Sequence, residues 1–237
     1  MSDKGPAANA GASQPVAIVT GVTGGLGPAV AHALRGAGYH VAGIHRGKTG
    51  GQLDSVHLEQ ADVTHEGEVQ AAVGRIMQRF GRIDALVNVA GGFAGGSPVH
   101  ETDEATWDHM MNLNLKSAFL WCKAVLPHML AADFGRIVNV SSRTALRVAA
   151  GLSAYSVSKA GIITLTETLA AELRGRNVTA NVILPSVIDT PANRSAMPNA
   201  DPSKWVRPEA IAALIVDLLS DRWGVVSGAA IPAYGGA

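Results

Sequence analysis

Three side chains in the stretch SSRTALRVAAGLSAYSVSKAG, residues 141–161, have the types and spacing to do chemistry together. Tyr155 and Lys159 stand four residues apart in a segment with helical character. At about 3.6 residues per turn, phenol and ammonium lie one above the other on one helix face. A free phenol has a pKa of about 10 and transfers protons poorly at neutral pH. A cation held beside it favours the phenolate and moves the group toward the working range. Ser142 lies upstream, where the apolar run RIVNV ends, and ligands of open α/β sheets bind outside strand ends. A hydroxyl there can hydrogen-bond the oxygen of a carbonyl. The set amounts to a proton donor, its electrostatic activator and an oxyanion partner. A Tyr-x-x-x-Lys pair alone also occurs on solvated helix faces, so its meaning depends on the elements that position it.

Those elements begin with a glycine-rich turn. The apolar run VAIVT leads into Thr20-Gly21-Val22-Thr23-Gly24-Gly25-Leu26-Gly27, and an amphipathic run follows. Glycines at 21, 25 and 27 let the backbone turn sharply and approach a pyrophosphate, which then sits on a helix N-terminus. Pro28 follows Gly27 in place of the Lys-Ser/Thr of a P-loop. A dinucleotide is the expected ligand. Sites for NAD place an acid about twenty residues further on, against the ribose 2′-hydroxyl. His45-Arg46 stand there in this chain. A guanidinium at Arg46 can pair with a 2′-phosphate and stack on adenine, which favours NADP(H) over NAD(H).

Short apolar runs alternate with longer amphipathic ones throughout. Strands are predicted at 16–20, 39–44, 56–60, 84–89, 136–140, 178–184 and 229–233, and helices at 25–36, 64–80, 102–127, 153–174 and 208–220. Thr64 and Thr102 are the expected N-caps of the second and third helices, with Glu66, Glu68, Asp103 and Glu104 in their first turns. Pro127 is expected to kink or end the third helix. Near-continuous Val, Ile, Leu and Ala strands between helices imply an α/β fold: a Rossmann-type, doubly wound parallel sheet of about seven strands with helices on both faces. The longest stretch without a predicted element runs from about Pro185 to Arg207, a length typical of binding loops.

At 237 residues the chain fits a single domain at 16–237 behind an Ala-, Gly- and Pro-rich tail at 1–15 that is expected to be disordered. Net charge is +0 and the isoelectric point about 7.1, so no electrostatic footprint for nucleic acid or anionic membrane is present. No segment approaches the roughly 18 apolar residues of a membrane span, and the tail lacks the basic-then-apolar pattern of a signal peptide. The expected location is cytoplasmic. The one cysteine, Cys122, excludes an intrachain disulfide and lies in the apolar run AFLWCKAVL, where a buried inert thiol is expected. Eight histidines occur without a ligand spacing, so no metal site is predicted. His32, His65, His109 and His128 read as surface or core residues. Arg143, Arg147 and Arg194 flank the expected pocket, where an anionic substrate could meet them. Phe93, Leu152, Val187 and Trp205 either wall an apolar substrate pocket, together with Ser142, or pack as ordinary core. Gly92–Gly96 is either a mobile rim or a tight loop.

These residues resemble the short-chain dehydrogenase/reductase family, from about Val16 to the C-terminus. The TGxxxGxG turn, Asn88-Val89-Ala90-Gly91, Asn114, Ser142, Tyr155 and Lys159 fall in the family's order. Ser142 stands thirteen residues before the tyrosine (155 − 142) and Asn114 seven after Trp107 (114 − 107), both usual intervals. The resemblance implies reduction of a ketone or aldehyde, or oxidation of a secondary alcohol, with a nicotinamide cofactor. Tyr155 would protonate the substrate oxygen and Lys159 would lower the tyrosine pKa and hold the nicotinamide ribose. Ser142 would orient the carbonyl, and Asn114 would hold a water linking Lys159 to solvent. The dinucleotide is expected on Gly21, Thr23, Gly25, Leu26 and Gly27 of the turn and on Asn88, Ala90 and Gly91. Asp62 and Val63 would contact adenine, and Pro185, Ile188 and Thr190 the carboxamide. A homo-oligomer, dimer or tetramer, built on the two long helices is implied, with the last strand at a second interface. Two segments, residues 89–96 and 184–205, are similar to the dihydropteridine reductase branch, which makes NADH-dependent reduction of a quinonoid pterin the alternative. Ser142 and Asn114 favour carbonyl chemistry, since a ring C=N needs no serine to hold a ketone oxygen. A dinucleotide-sensing module without chemistry would be expected to lose Tyr155, Lys159 or Ser142. The chain departs from the family at Pro185-Ser186, where Pro-Gly is usual, at Tyr234 in place of an acid, and at Gly24, where NADP-preferring members often carry a base.

Overall fold

The computed structural model describes residues 14–47 and 53–236; the greater part of the expected tail, residues 1–13, lies outside the described residues. Seven strands form one sheet: β1 (Val16–Thr20), β2 (His40–His45), β3 (His57–Gln60), β4 (Ala85–Asn88), β5 (Gly135–Val140), β6 (Val178–Pro185) and β7 (Ala230–Ala233). All are parallel, in the order β3-β2-β1-β4-β5-β6-β7. β1 is buried along its whole length, and its side chains alternate between the two faces of the sheet. Val16 and Ile18 join a core with α2 (Glu66–Phe80) and α4 (Ser117–Ala132), centred on Trp121, Val125 and Met129. Ala17 and Val19 join a second core with α1 (Gly27–Gly36) and α7 (Pro208–Leu219), through Val30, Leu34, Ile215 and Leu218. The strand order therefore reverses between β1 and β4, and a crevice opens there outside their carboxyl ends. The Thr20 hydroxyl fixes its width, accepting from the amides of Val89 and Ala90 at 3.1 Å each.

Three local expectations are corrected. Thr64 does not cap α2: its amide and hydroxyl both donate to Asp62 Oδ1, at 2.9 and 2.7 Å. The turn thus orients the hydroxyl toward Asp62, and the helix starts after His65 with no side-chain cap. Glu68 turns back to accept from the Asp62 amide at 2.8 Å. Thr102 gives way to Asp103, whose carboxylate accepts from the Thr106 amide and caps α3 (Glu104–Met110). A carboxylate at that place also complements the helix dipole, which a hydroxyl does not. Pro127 neither ends nor bounds its helix, since α4 runs on to Ala132. Pro127 is on the exposed side, so the carbonyl deprived of its amide partner faces water while Trp121, Val125 and Met129 hold the buried stripe. Between α3 and α4 the helix widens into a π-turn, Met111–Lys116. Such turns recur at functional sites.

The segment expected to be irregular between Pro185 and Arg207 contains α6 (Pro191–Ala196) and a short 3-10 turn at Pro202–Lys204. Its two ends meet where Ile188 bridges Val206, with the Val206 amide donating to the Val187 carbonyl at 2.9 Å. At the opposite end of the sheet the Arg136 guanidinium is 2% exposed. It donates to the carbonyls of Gly135 and Asn177 at 2.9 Å each and to Asp221 at 3.2 Å. This ties β5 to the turn that follows α7. No helix among the described residues is long and apolar enough to cross a membrane.

Candidate active site

A cleft of about 570 Å³ runs across the carboxyl ends of β1, β2 and β4 to the helix α5 (Ser153–Glu172), which carries Tyr155 and Lys159. Its floor at one end is the glycine-rich turn. Gly21 has φ of 65° and lies so close to Ala90 that a Cβ would stand 2.8 Å from the Ala90 Cα. Both facts require glycine there. Gly25 faces Thr190, whose Cγ2 would be 2.7 Å from an added Cβ. The N-terminus of α1 has no side-chain cap and no acid in its first turn. Its unpaired amides and positive dipole end therefore face the cleft ready for an anion. These features fit a pyrophosphate-bearing cofactor.

At the other end the Lys159 side chain is buried, 5% exposed, with Nζ donating to the Val140 carbonyl at 3.0 Å. Burial alone lowers its pKa from 10.5 to about 8. The backbone of the lysine is held as well, because Ser141 donates its hydroxyl to the Lys159 carbonyl at 2.7 Å. Tyr155 has its pKa raised, chiefly by burial, while the Ser142 hydroxyl pulls the other way. The direction is opposite to the drop expected from Lys159, because desolvation of the phenol dominates. The Ser142 oxygen accepts from the Thr144 amide and hydroxyl at 3.3 and 3.0 Å. Its lone pairs being used, its own proton is left to donate toward the phenol or a substrate oxygen.

Asn114 sits in the π-turn, fully buried. Its Oδ1 accepts from the Gly92 amide at 2.9 Å, and its Nδ2 donates to Ser158 Oγ at 3.0 Å and the Gly92 carbonyl at 3.2 Å. A Cβ on Gly91 would lie 2.8 Å from Asn114 Oδ1 and 3.2 Å from Lys159 Nζ. Asn114 therefore locks the loop after β4 against the lysine. Phe93 on that loop meets the Tyr155 ring edge-on, with centroids 5.0 Å apart, and is 64% exposed.

Of the residues singled out from sequence, Gly21, Thr23, Gly25, Leu26, Arg46, Asp62, Val63, Ala90, Gly91, Phe93, Tyr155, Lys159 and Ile188 line this cleft. The others do not. Gly27 packs against the backbone of Gly21 and Val22 and shapes the turn from behind. Asn88 is buried and donates to Asn139 at 2.9 Å. Pro185 ends β6 in register with Ala233. Thr190 caps α6 through the Asn193 amide at 3.2 Å. Asn114 and Ser142 stand one layer back, beside Gly92 and Tyr155. Leu152 packs against Gly95, and the Gly96 amide donates to the Gly151 carbonyl at 2.8 Å. The glycine-rich rim is thereby docked as a tight loop. Val187 and Trp205 form the root of the segment carrying α6 and stand away from the cleft wall. Ile44, Leu113, Val140, Ala192 and Asn193 line the cleft unforeseen. The one available signal was Leu113, an apolar residue beside Asn114. Arg194 is taken up by Asp189 in a two-pronged pair at 2.6 and 2.8 Å. Cys122 is buried between Asn88 and Asn139, with its thiol pushed up to about 12 by burial.

Comparison with known proteins agrees with this geometry. The short chain dehydrogenase family profile matches residues 15–201. The 2-(R)-hydroxypropyl-CoM dehydrogenase of Xanthobacter autotrophicus is 38% identical, over 74% of this chain and 75% of the relative. The D-threitol dehydrogenase of Mycolicibacterium smegmatis is 35% identical, over 93% of this chain and 92% of the relative. Among solved structures, ElxO with NADP bound superposes with a TM-score of 0.87 at 25% identity, covering 94% of this chain and 98% of its own. These names give no support to the pterin alternative. The chain belongs to the short-chain dehydrogenase family and is an NAD(P)-dependent oxidoreductase of carbonyl and alcohol substrates.

Proposed function

We propose that the chain reduces a ketone or aldehyde, or oxidises the matching secondary alcohol, with Tyr155 as the acid and base. The observation that carries this is the junction of two halves in one cleft: the glycine-rich turn at one end, and Tyr155 with Lys159 at the other. A bound nicotinamide supplies or takes up the hydride. Tyr155 gives its proton to the developing alkoxide in reduction and takes it back in oxidation. Ser142, with its lone pairs occupied by Thr144, donates to the same oxygen. Lys159 holds a ribose and adds positive charge beside the phenol, offsetting the burial that raises the tyrosine. Asn114 keeps the loop after β4 in place.

NADP(H) is the favoured cofactor. His45 and Arg46 line the adenosine end of the cleft, and Arg46 supplies a charge for a 2′-phosphate where NAD sites carry an acid. Phe93 beside the phenol favours a substrate with an apolar substituent on the carbonyl carbon. Trp107, Phe119 and Val157 are 38%, 45% and 44% exposed on α3, α4 and α5, which supports a homo-oligomer joined through these helices. A cytoplasmic location completes the reading.

The test follows the near-ultraviolet absorbance of NADH and NADPH with a carbonyl panel and a quinonoid pterin, for the wild type, Ser142→Ala and Tyr155→Phe. Turnover of carbonyls, lost in both variants while dinucleotide binding persists, is the expected outcome. Pterin turnover that survives Ser142→Ala, or an active Tyr155→Phe, overturns the assignment.

A further inference from the structure

At the far end of the sheet from the active site, a second cleft of about 300 Å³ lies between the amino ends of β2 and β3, the end of α1 and the end of α2. The strand β2 rises about 3.3 Å per residue, so His40 stands on the order of 16 Å from His45 at the dinucleotide end. Arg35, His40, His57, Arg79 and Phe80 line this cleft, with Ser55 at its lip. Phe80 organises the bases. His40 stacks on the ring at 5.5 Å, His57 meets it edge-on at 5.5 Å, and the Arg79 guanidinium stands 5.4 Å from its centroid. Arg35 is held by the Ser55 carbonyl, and Ser55 adopts a φ of 60° to present it. A serine in the left-handed region is uncommon and mildly strained.

Among the described residues, no carboxylate lines this cleft. Neither Arg35 nor Arg79 has an ion-pair partner among the described residues. The nearest carboxylate contacting the cluster, Glu59, is already satisfied by Arg75 at 2.7 Å and His57 at 2.8 Å. Asp54 lines the adjoining cleft on the other side of Ser55. Two guanidiniums and the His40 imidazole thus converge on a concave space with no carboxylate paired to them among the described residues, while His57 is held by Glu59. Arginines with free donors match the oxygens of phosphate groups.

We propose that this cleft is a binding site for a small phosphate-bearing anion, separate from the dinucleotide cleft. Its wall is formed by the strands whose other ends carry Arg46 and Asp62. The site stands independently of the oxidoreductase reading.

The test is titration of the full chain with inorganic pyrophosphate at low ionic strength, followed by calorimetry and by the histidine ring resonances, with His40 and His57 assigned through His40→Gln and His57→Gln. Saturable shifts of the His40 and His57 resonances are expected, with affinity about tenfold or more weaker in Arg35→Ala and in Arg79→Ala. NADPH binding should be unchanged in both, which also shows that they fold. Three outcomes overturn the proposal: no saturable shift at either histidine, shifts confined to His45 at the dinucleotide cleft, or affinity unaltered in both arginine variants.

Discussion

Replacing Lys159 by methionine should stabilise the cofactor-free protein at neutral pH while destroying its activity. The lysine is 5% exposed, and burial takes its pKa from 10.5 to about 8. That difference corresponds to about 3 kcal/mol against the charged form in the folded state. At pH 7 the side chain is charged whether the chain is folded or not, so the wild type carries this whole cost. Methionine fills similar space and removes the charge. It also removes the donor to the Val140 carbonyl at 3.0 Å, a loss of about 1–3 kcal/mol. The net gain for Lys159→Met at pH 7 is therefore about 0–2 kcal/mol. The sharper readout is the dependence on pH. Between about 8 and 10.5 the folded lysine has lost its proton and the unfolded one has kept it. The unfolded state then binds more protons, and wild-type stability rises with pH relative to the variant. By pH 10 the wild type should have gained about 2–3 kcal/mol on Lys159→Met. Urea denaturation of both proteins without dinucleotide, at pH 7 and pH 10, measures this. A stability difference that is the same at both values refutes the reasoning, because it would mean the lysine is not desolvated in the fold.

Other perturbations separate positioning from chemistry. Arg46→Ala should erase most of a preference for NADPH over NADH, by about tenfold or more for a lost charge-assisted contact; equal KM ratios in both proteins would remove Arg46 from the cofactor site. Phe93→Ala should raise KM for ketones bearing apolar or aryl groups by about three- to tenfold, the worth of an aromatic contact, with a smaller effect on kcat; an unchanged KM would place the substrate elsewhere. Arg136→Ala deletes the buried guanidinium bonded to the Gly135 and Asn177 carbonyls and should cost about 3 kcal/mol in urea titration. A loss under about 1 kcal/mol would show that those carbonyls find other partners.

The fold was legible because its signals are redundant. Apart from β3, HLEQ, the strands are largely apolar runs too short for a helix, and both faces of the sheet are covered, so the parallel arrangement follows without knowledge of any single contact. β1 illustrates this: VAIVT feeds two cores at once through Val16 and Ile18 on one face and Ala17 and Val19 on the other. Failures occurred where a threonine hydroxyl found a nearby acceptor instead of serving as a helix cap. At the start of α2 a Thr64 cap was expected, but Thr64 bonds back to Asp62; at the start of α3, Asp103 caps in place of Thr102. Sequence spacing does not rank such neighbours, since the winner depends on the path by which the chain arrives. The candidate site shows the same division. Tyr155 and Lys159 were placed by helical periodicity alone. Which glycine, threonine or leucine faces the cleft was not, because the side of a loop that a residue presents is set by what it packs against, as Thr190 packs on Gly25 and Leu152 on Gly95. The tyrosine pKa failed for a related reason. Four residues of helix bring the lysine close to the phenol, but the same burial that holds the pair in register strips water from both. In the free protein, desolvation raises Tyr155 and lowers Lys159 together. Proximity to the cation is then not enough to activate the phenol. Helical spacing reports which groups are neighbours, whereas desolvation is set by everything else packed round them.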